Sequence, residues 1–338
     1  MSAPVRTARV AGGGSAAPVA RRRADGRGPG PVARVGTDRA PDFLRELSAA
    51  GLLLETGVPG LYGRSARFEA LIEAIDQFLT RFTAADGAER LRFPPALPRR
   101  ELERSGYLEG FPHLVGTVHA FTGDEREHRA LLADLKAGRD WAMRQRPTAV
   151  ALVPAACYPV YPTLAARGPL PERGVLVDVA SWCFRHEPSR KPTRLQFFRM
   201  REQVRIGEPE AVRAFREDWL ERGRRLAGDL ALPFEIASAH DPFFGRGGRI
   251  LAASQEEQGL KFELLVPILE EGGPTACLSF NWHRDRFGRT FGLRTARGEP
   301  AHSACVGFGL ERLALALLRH HGLDPERWPR AVRAVLGS

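Results

Sequence analysis

Apolar positions recur at helical spacing in several stretches. Over residues 65–83, Phe68, Leu71, Ile72, Ile75, Phe78, Leu79 and Phe82 fall on one face, which predicts an amphipathic helix with core-facing aromatics. Over 208–228, Val212, Phe215, Trp219 and Leu226 make a second inner face, with charges outside. A third helix is expected over 126–145. Runs rich in β-branched and apolar residues at 149–154, 174–182, 260–268 and 276–282 predict buried strands. The final stretch, ACVGFGLERLALALLRHH (304–321), reads as a strand end running into an apolar helix.

Between these elements lie the punctuated segments. Two prolines precede a short charged helix in 93–114, which Gly106-Tyr107 is expected to stop. Residues 155–174 form a long Pro-rich loop carrying Cys157. Residues 240–249, HDPFFGRGGR, read as a Gly-rich loop. That loop lacks the strand–turn–helix context of a dinucleotide fingerprint, so no phosphate role is assigned to it. The chain shows no internal repeat.

Composition narrows the class. With 338 residues, 43% of them hydrophobic, the chain can bury a large core. Residues 1–40 are rich in Gly, Pro, Ala and Arg and cannot supply one, so they read as a disordered basic tail before a folded domain at 41–338. The net charge of +10 suits anionic partners without choosing among them. The four cysteines do not make a small disulfide scaffold. Neither a bilayer-spanning run nor a secretory h-region is evident, so a cytoplasmic setting is expected.

Two stretches carry chemistry. Trp182 to Gln203, WCFRHEPSRKPTRLQFFRMREQ, places Phe184, Arg185 and Glu187 before a Pro-broken turn, and Arg194, Phe198 and Glu202 at intervals of four after it. Arginines flanking a short hairpin suit a polyphosphate, because each guanidinium offers planar paired donors. The second stretch is Gly307-Phe308-Gly309-Leu310-Glu311-Arg312, whose glycines allow backbone to approach a nucleotide.

Together these stretches resemble motifs 2 and 3 of the class II aminoacyl-tRNA synthetases, and 93–114 is similar to motif 1 of the seryl-tRNA synthetase-like proteins. The resemblance covers about residues 43–338. It implies an α+β fold with a central antiparallel sheet flanked by helices, and ATP bound on that sheet. Carried over residue by residue, it implies that Arg185 holds the α-phosphate, Glu187 reads the adenine amino group and Arg194 reaches the γ-phosphate. Phe198 and Arg312 would sandwich the base. Leu195, Lys261 and Ser279 complete the implied ATP-binding set, and Arg185 and Arg312 are the catalytic pair. Adenylation needs charge neutralisation and in-line positioning more than a general base, and no nucleophile–base pair is found.

The cysteines point to a smaller branch. Atypical archaeal seryl-tRNA synthetases and their truncated bacterial homologues hold catalytic Zn²⁺ with Cys, Glu and Cys; Cys157, Glu202 and Cys305 match that order. Three protein ligands leave a position open for the substrate amino group. Cys183 and Cys277 read as buried apolar residues. Mg²⁺ is expected with ATP, although Thr275 and Ala276 stand where its acidic ligand is expected. The nine histidines show no metal spacing.

No tRNA-binding domain of the usual size precedes the core, so the chain resembles the amino acid:[carrier protein] ligases. The implied reaction is activation of a small amino acid, glycine or alanine, and transfer to the phosphopantetheine thiol of an acyl-carrier-like protein. A homodimer through 93–114 and a carrier-docking face on the 208–228 helix (Arg213, Arg216, Arg222, Arg224 and Arg225) are further expectations. A tRNA acceptor is disfavoured. A tRNA-charging enzyme and a non-catalytic synthetase paralogue are the alternatives; the intact ATP groups argue against the second.

Overall fold

The structure, a computed structural model, describes residues 42–337; the basic tail expected over 1–40 lies outside the described residues. Helix α1 (Asp42–Ala49) leads into a small hairpin of β1 (Leu53–Glu55) and β2 (Tyr62–Arg64). Helix α2 (Ala66–Phe82) follows, started by Ser65, whose hydroxyl accepts the Phe68 N–H. Next come β3 (Glu89–Arg92), β4 (Ala96–Pro98), α3 (Arg99–Arg104), α4 (Tyr107–Gly110), β5 (Thr117–Ala120), α5 (Glu125–Lys136), β6 (Arg146–Leu152) and α6 (Val160–Ala165). The long antiparallel pair β7 (Val175–Phe184) and β8 (Phe197–Gly207) precedes α7 (Pro209–Asp229), β9 (Glu235–Ser238) and α8 (Gly245–Glu257). The chain closes with β10 (Lys261–Val266), β11 (Thr275–Arg284), α9 (Arg286–Phe291), β12 (His302–Gly309), α10 (Leu310–His321) and α11 (Arg330–Leu336).

One seven-stranded sheet, in the order β3-β7-β8-β12-β11-β10-β9, organises the described residues. Six of its strands are antiparallel, as the resemblance implies; β3 adds to β7 in parallel and makes the sheet mixed. A second, three-stranded sheet, β4-β6-β5, stands apart from it.

Alternation along the strands sorts side chains between the two faces. Val306 and Phe308 of β12, with Leu278 and Phe280 of β11, join the core built with Trp219 of α7, the apolar stripe of α2 and Leu313–Leu318 of α10. Cys305 faces the other way, toward Tyr161, Phe287 and Phe291. Strand β8 is locked to α2 by Arg201, 1% exposed, which bonds Asp178 at 2.6 Å and Asp76 at 3.0 Å. Breaking a buried pair such as this by removing one partner costs about 3–5 kcal/mol, so the strand's position is held firmly.

Several expectations are corrected. The helix expected over 126–145 ends at Lys136, because Gly138 takes φ +66° and turns the chain into a separate short turn at Trp141–Arg144. The Gly-rich segment 240–249 is not loop throughout, since α8 begins at Gly245. Gly248 permits this: a Cβ there would stand 2.7 Å from the Phe243 backbone, so only glycine lets the helix lie down on Phe243.

The proposed docking arginines on α7 also divide. Arg216 is buried, with its guanidinium over Phe262 and Trp282 and a bond to the Gly259 carbonyl. Arg222 lies over the Trp219 ring at 3.9 Å and pairs with Asp86 at 2.8 Å. Only Arg213, Arg224 and Arg225 stay exposed on that helix.

Candidate active site

A cavity of about 450 Å³ lies on the face of the sheet opposite α7 and α10. Arg185, Glu187, Arg194, Leu195, Phe198, Lys261, Ser279, Arg312, Cys157, Glu202 and Cys305 all line it. The structure thus gathers every sequence-nominated residue around one space, although they span residues 157–312.

Cationic side chains crowd one end. Arg185 follows β7, and its Nε donates to the Pro154 carbonyl at 3.1 Å while its guanidinium lies 5.4 Å from the Phe198 ring centre. Arg312 sits in the first turn of α10 and donates to the carbonyls of Thr193 and Ala276, each at 3.0 Å. Arg194 donates to Glu187 at 2.9 Å. Burial pushes Arg312 below the usual guanidinium range, and the like charges of Arg194 and Arg185 push it further. Converging cations of this kind favour a polyanion between them. Leu195 is buried, and its neighbour Gln196 pins the loop through the Pro59 carbonyl at 2.8 Å.

The opposite end is built of sulfur and carboxylate. One donor atom each from Cys157, Glu202 and Cys305 lies within 4.8 Å of the others, and all three residues are buried. Glu202 comes from β8 and Cys305 from neighbouring β12. Cys157 comes from the turn before α6, where its N–H donates to Glu202 Oε1 at 3.0 Å. Packed together out of water, the three groups act unequally: the Cys305 thiol and burial raise Cys157, whereas burial raises Glu202 against the lowering hydrogen bonds it receives from both thiols. A soft, doubly charged cation with tetrahedral preference fits this donor set and spacing. Gly307 keeps the floor open, since a Cβ there would lie 3.1 Å from Ser279 Oγ and 3.7 Å from Glu202 Cγ.

Lys261 stands apart from the arginines. Its strand partner is Asn281, and Asn281 is paired with Cys305, so the lysine lies in the row of the sulfur end. It bonds Asp241 at 2.6 Å and Glu263 at 3.1 Å. Cys183 and Cys277 are buried as expected; Cys277, which also borders the cavity, is pushed up to about 12 by burial.

Several residues beyond the nominated set stand at the site. Asn281 Nδ2 lies 3.5 Å from Cys305 Sγ. His283 has Nε2 3.7 Å from the same sulfur, and its Nδ1 is 3.1 Å from Ser303 Oγ. Both side chains are visible in retrospect through the period-two spacing Ser279, Asn281, His283 on β11. On the far face, Arg199 bonds Glu311 through backbone and side chain and also bonds Glu69, tying β8 to the first turn of α10 beside Arg312.

The sheet, the paired β7–β8 hairpin and the glycine-bounded β12–α10 junction define a class II aminoacyl-tRNA synthetase-like catalytic domain. The M. kandleri seryl-tRNA synthetase, in its crystal structure with A. aeolicus tRNASec, matches at a TM-score of 0.75 and 24% identity, over 88% of this chain and 60% of that one. No family model matches the chain. Two relatives from Bradyrhizobium diazoefficiens match over most of their length. Amino acid–[acyl-carrier-protein] ligase 1 is 49% identical over 302 residues, covering 89% of this chain and 92% of that protein. Ligase 2 is 52% identical over 289 residues, 86% of each. The chain belongs to the amino acid–[acyl-carrier-protein] ligase family and is a ligase.

Proposed function

We propose that this chain activates a small amino acid, glycine or alanine, with ATP and passes it to the phosphopantetheine thiol of a carrier protein. The observation that carries the reading is the single cavity with guanidiniums at one end and the Cys–Glu–Cys group at the other. In the first step the amino-acid carboxylate attacks the α-phosphorus, the bond to pyrophosphate breaks, and the adenylate forms. Arg185 neutralises the α-phosphate, Arg194 the γ-phosphate, and Phe198 and Arg312 hold the adenine, whose amino group Glu187 reads. In the second step the thiol gives up its proton, sulfur attacks the carbonyl carbon, and AMP leaves.

Cys157, Glu202 and Cys305 would hold Zn²⁺, which supplies an open coordination position for the substrate's α-amino group. Ser279 lies on the floor between the two ends, and Lys261 closes the wall beside the sulfur end. Mg²⁺ accompanies ATP in this reading. Glu263 and Glu271 are acids on the cavity wall that the sequence around Thr275 and Ala276 did not reveal.

The acceptor reading gains a surface from α8. Phe244, Ile250 and Leu251 are 59%, 73% and 52% exposed, and Arg246 and Arg249 line a shallow depression with Ile250. An apolar patch edged by arginines suits a small acidic carrier. The residues before α8, His240 to Pro242, border the cavity, so a thiol arm from a carrier seated there has a short path inward. This placement replaces the α7 face. A homodimer through 93–114 would extend over the adjoining β4-β6-β5 sheet, α5 and the turn at Trp141–Arg144, where Leu132, Leu135, Trp141, Met143 and Val150 are exposed.

Amino-acid-dependent ATP–pyrophosphate exchange, run with each amino acid in turn, tests the first step. Mass spectrometry of holo-carrier, apo-carrier and tRNA tests the second. An aminoacyl adduct on holo-carrier alone is expected; efficient charging of tRNA with holo-carrier unmodified would overturn the reading.

A further inference from the structure

Helix α8 is fastened to the protein by little. Of its residues Gly245–Glu257 only Gly248 is buried, where the helix lies on Phe243. A further fastening is polar. Gln255 Oε1 accepts the Asp241 N–H at 2.7 Å, and Gln255 Nε2 donates to Asp241 Oδ2 at 2.8 Å. The remaining carboxylate oxygen, Oδ1, accepts from Lys261 Nζ at 2.6 Å. Asp241 and Lys261 line the cavity and Gln255 does not.

The match between the groups is chemical. A primary amide has one accepting and one donating end, and Asp241 presents a backbone donor and a carboxylate acceptor at the same spacing. The amide therefore fixes both the backbone and the carboxylate of Asp241, leaving one oxygen aimed at the lysine. Charge-assisted bonds in a poorly solvated wall polarise one another, so a shift at Gln255 is felt at Lys261. Ile250 and Leu251 sit on the same helix as Gln255, four to five residues or about 7 Å away along a rigid rod. The N-cap residue Phe244 is also held, its N–H donating to the Gly110 carbonyl at 2.8 Å, so a load on the outer face is passed to the few contacts made further along the helix, Gln255 among them.

We propose that Gln255 is a positioning residue that couples the outer face of α8 to the pocket wall. Carrier docking and occupancy of the cavity by the activated amino acid are linked through Gln255, Asp241 and Lys261. The inference rests on the reading that the carrier docks on α8. The linkage is one free energy, so each ligand changes the other's affinity by the same factor.

Apo-carrier, which lacks the arm and cannot reach the cavity, separates docking from chemistry. Its affinity is measured by calorimetry with and without a sulfamoyl analogue of the glycyl-adenylate, and the reverse titration is run as a check. The wild-type protein is expected to show a change of about fivefold or more, equal in both directions. Gln255→Met keeps the side-chain length and helix propensity but removes the amide. It should bring the linkage to unity while analogue affinity and pyrophosphate exchange stay within about twofold, which a merely structural role would not do. Equal apo-carrier affinity with and without analogue in the wild type, or full linkage in Gln255→Met, overturns the inference. An Ile250→Asp variant distinguishes the two failures. If it leaves carrier binding untouched, the docking reading falls and takes the inference with it. If it weakens binding and no linkage exists, the inference alone falls.

Discussion

At the arginine end of the cavity the charged groups come from a loop, a strand end and a helix turn. Each is tethered by carbonyls or by a neighbouring carboxylate: Arg185 on Pro154, Arg312 on Thr193 and Ala276, Arg194 on Glu187. At the sulfur end, two of the three donors stand on adjacent strands deep in the sheet, and the third sits in a turn bonded to one of them. The first end offers charge with room to adjust, as a flexible triphosphate requires. The second offers atoms at fixed spacing, as coordination requires. In the proposed reaction, errors at the two ends should therefore fail differently.

The largest failure belongs to the sulfur end. Cys157→Ala or Cys305→Ala should take amino-acid-dependent exchange to background while ATP still binds, because a two-ligand site no longer holds the metal. Metal analysis beside the exchange assay checks this, with one zinc per wild-type chain expected; metal-free, fully active wild type would dissolve the contrast. At the other end, Arg185→Ala should lower exchange by about a hundredfold or more, the usual loss for one transition-state charge clamp. Arg312→Ala, which removes one face of the adenine site and its anchoring of the Thr193 and Ala276 carbonyls, should lower it comparably. Arg312→Lys should recover little, since a lysine cannot satisfy two carbonyls and a third group in one plane.

Smaller effects sharpen the picture outside the cavity. Arg249→Glu should raise the KM for holo-carrier by roughly tenfold, with added salt weakening wild-type transfer in the same direction. Sedimentation at micromolar concentration should give a dimer, and Val150→Asp should shift it toward monomer. The smallest effect concerns Asp241. Burial alone would raise its carboxyl, but Lys261 and Gln255 outweigh burial and the net direction is below the ordinary value of 3.8. The folded protein then binds that proton more weakly than the unfolded chain. The pair's contribution is present above about pH 4 and is lost as pH falls through the folded value. The urea midpoint of Asp241→Asn should approach that of wild type over the same acid range.

The stripes of α2 and α7 and the strand–helix junction before Arg312 were legible because a local period specifies each. The cavity arginines and the Cys–Glu–Cys group were nominated through the resemblance to the synthetase motifs rather than by any period, and the fold brings those residues to one cavity. Charge alone did not tell which α7 arginines face outward: Arg216 turns in because Phe262 and Trp282 come from other strands, and Arg222 because Asp86 lies 136 residues before it. Asp241 was passed over because its meaning depends on Gln255 and Lys261, which no spacing rule connects to it. The helical start at Gly245 was hidden by the very glycines that permit close packing.

Strand β8 can also be read as a ruler. Phe198, Met200 and Glu202 all border the cavity, and the intervening Arg199 and Arg201 are bolted to the helices behind. At about 3.3 Å per residue, the ring and the carboxylate stand about 13 Å apart along the strand. In the proposed reaction that interval would preset the distance between the stacked base and the held amino group. Adding one residue between them would turn one mark to the wrong side of the sheet. Adding two would keep both in view but stretch the scale by about 7 Å, leaving a protein that grips either half of its intermediate and cannot join them.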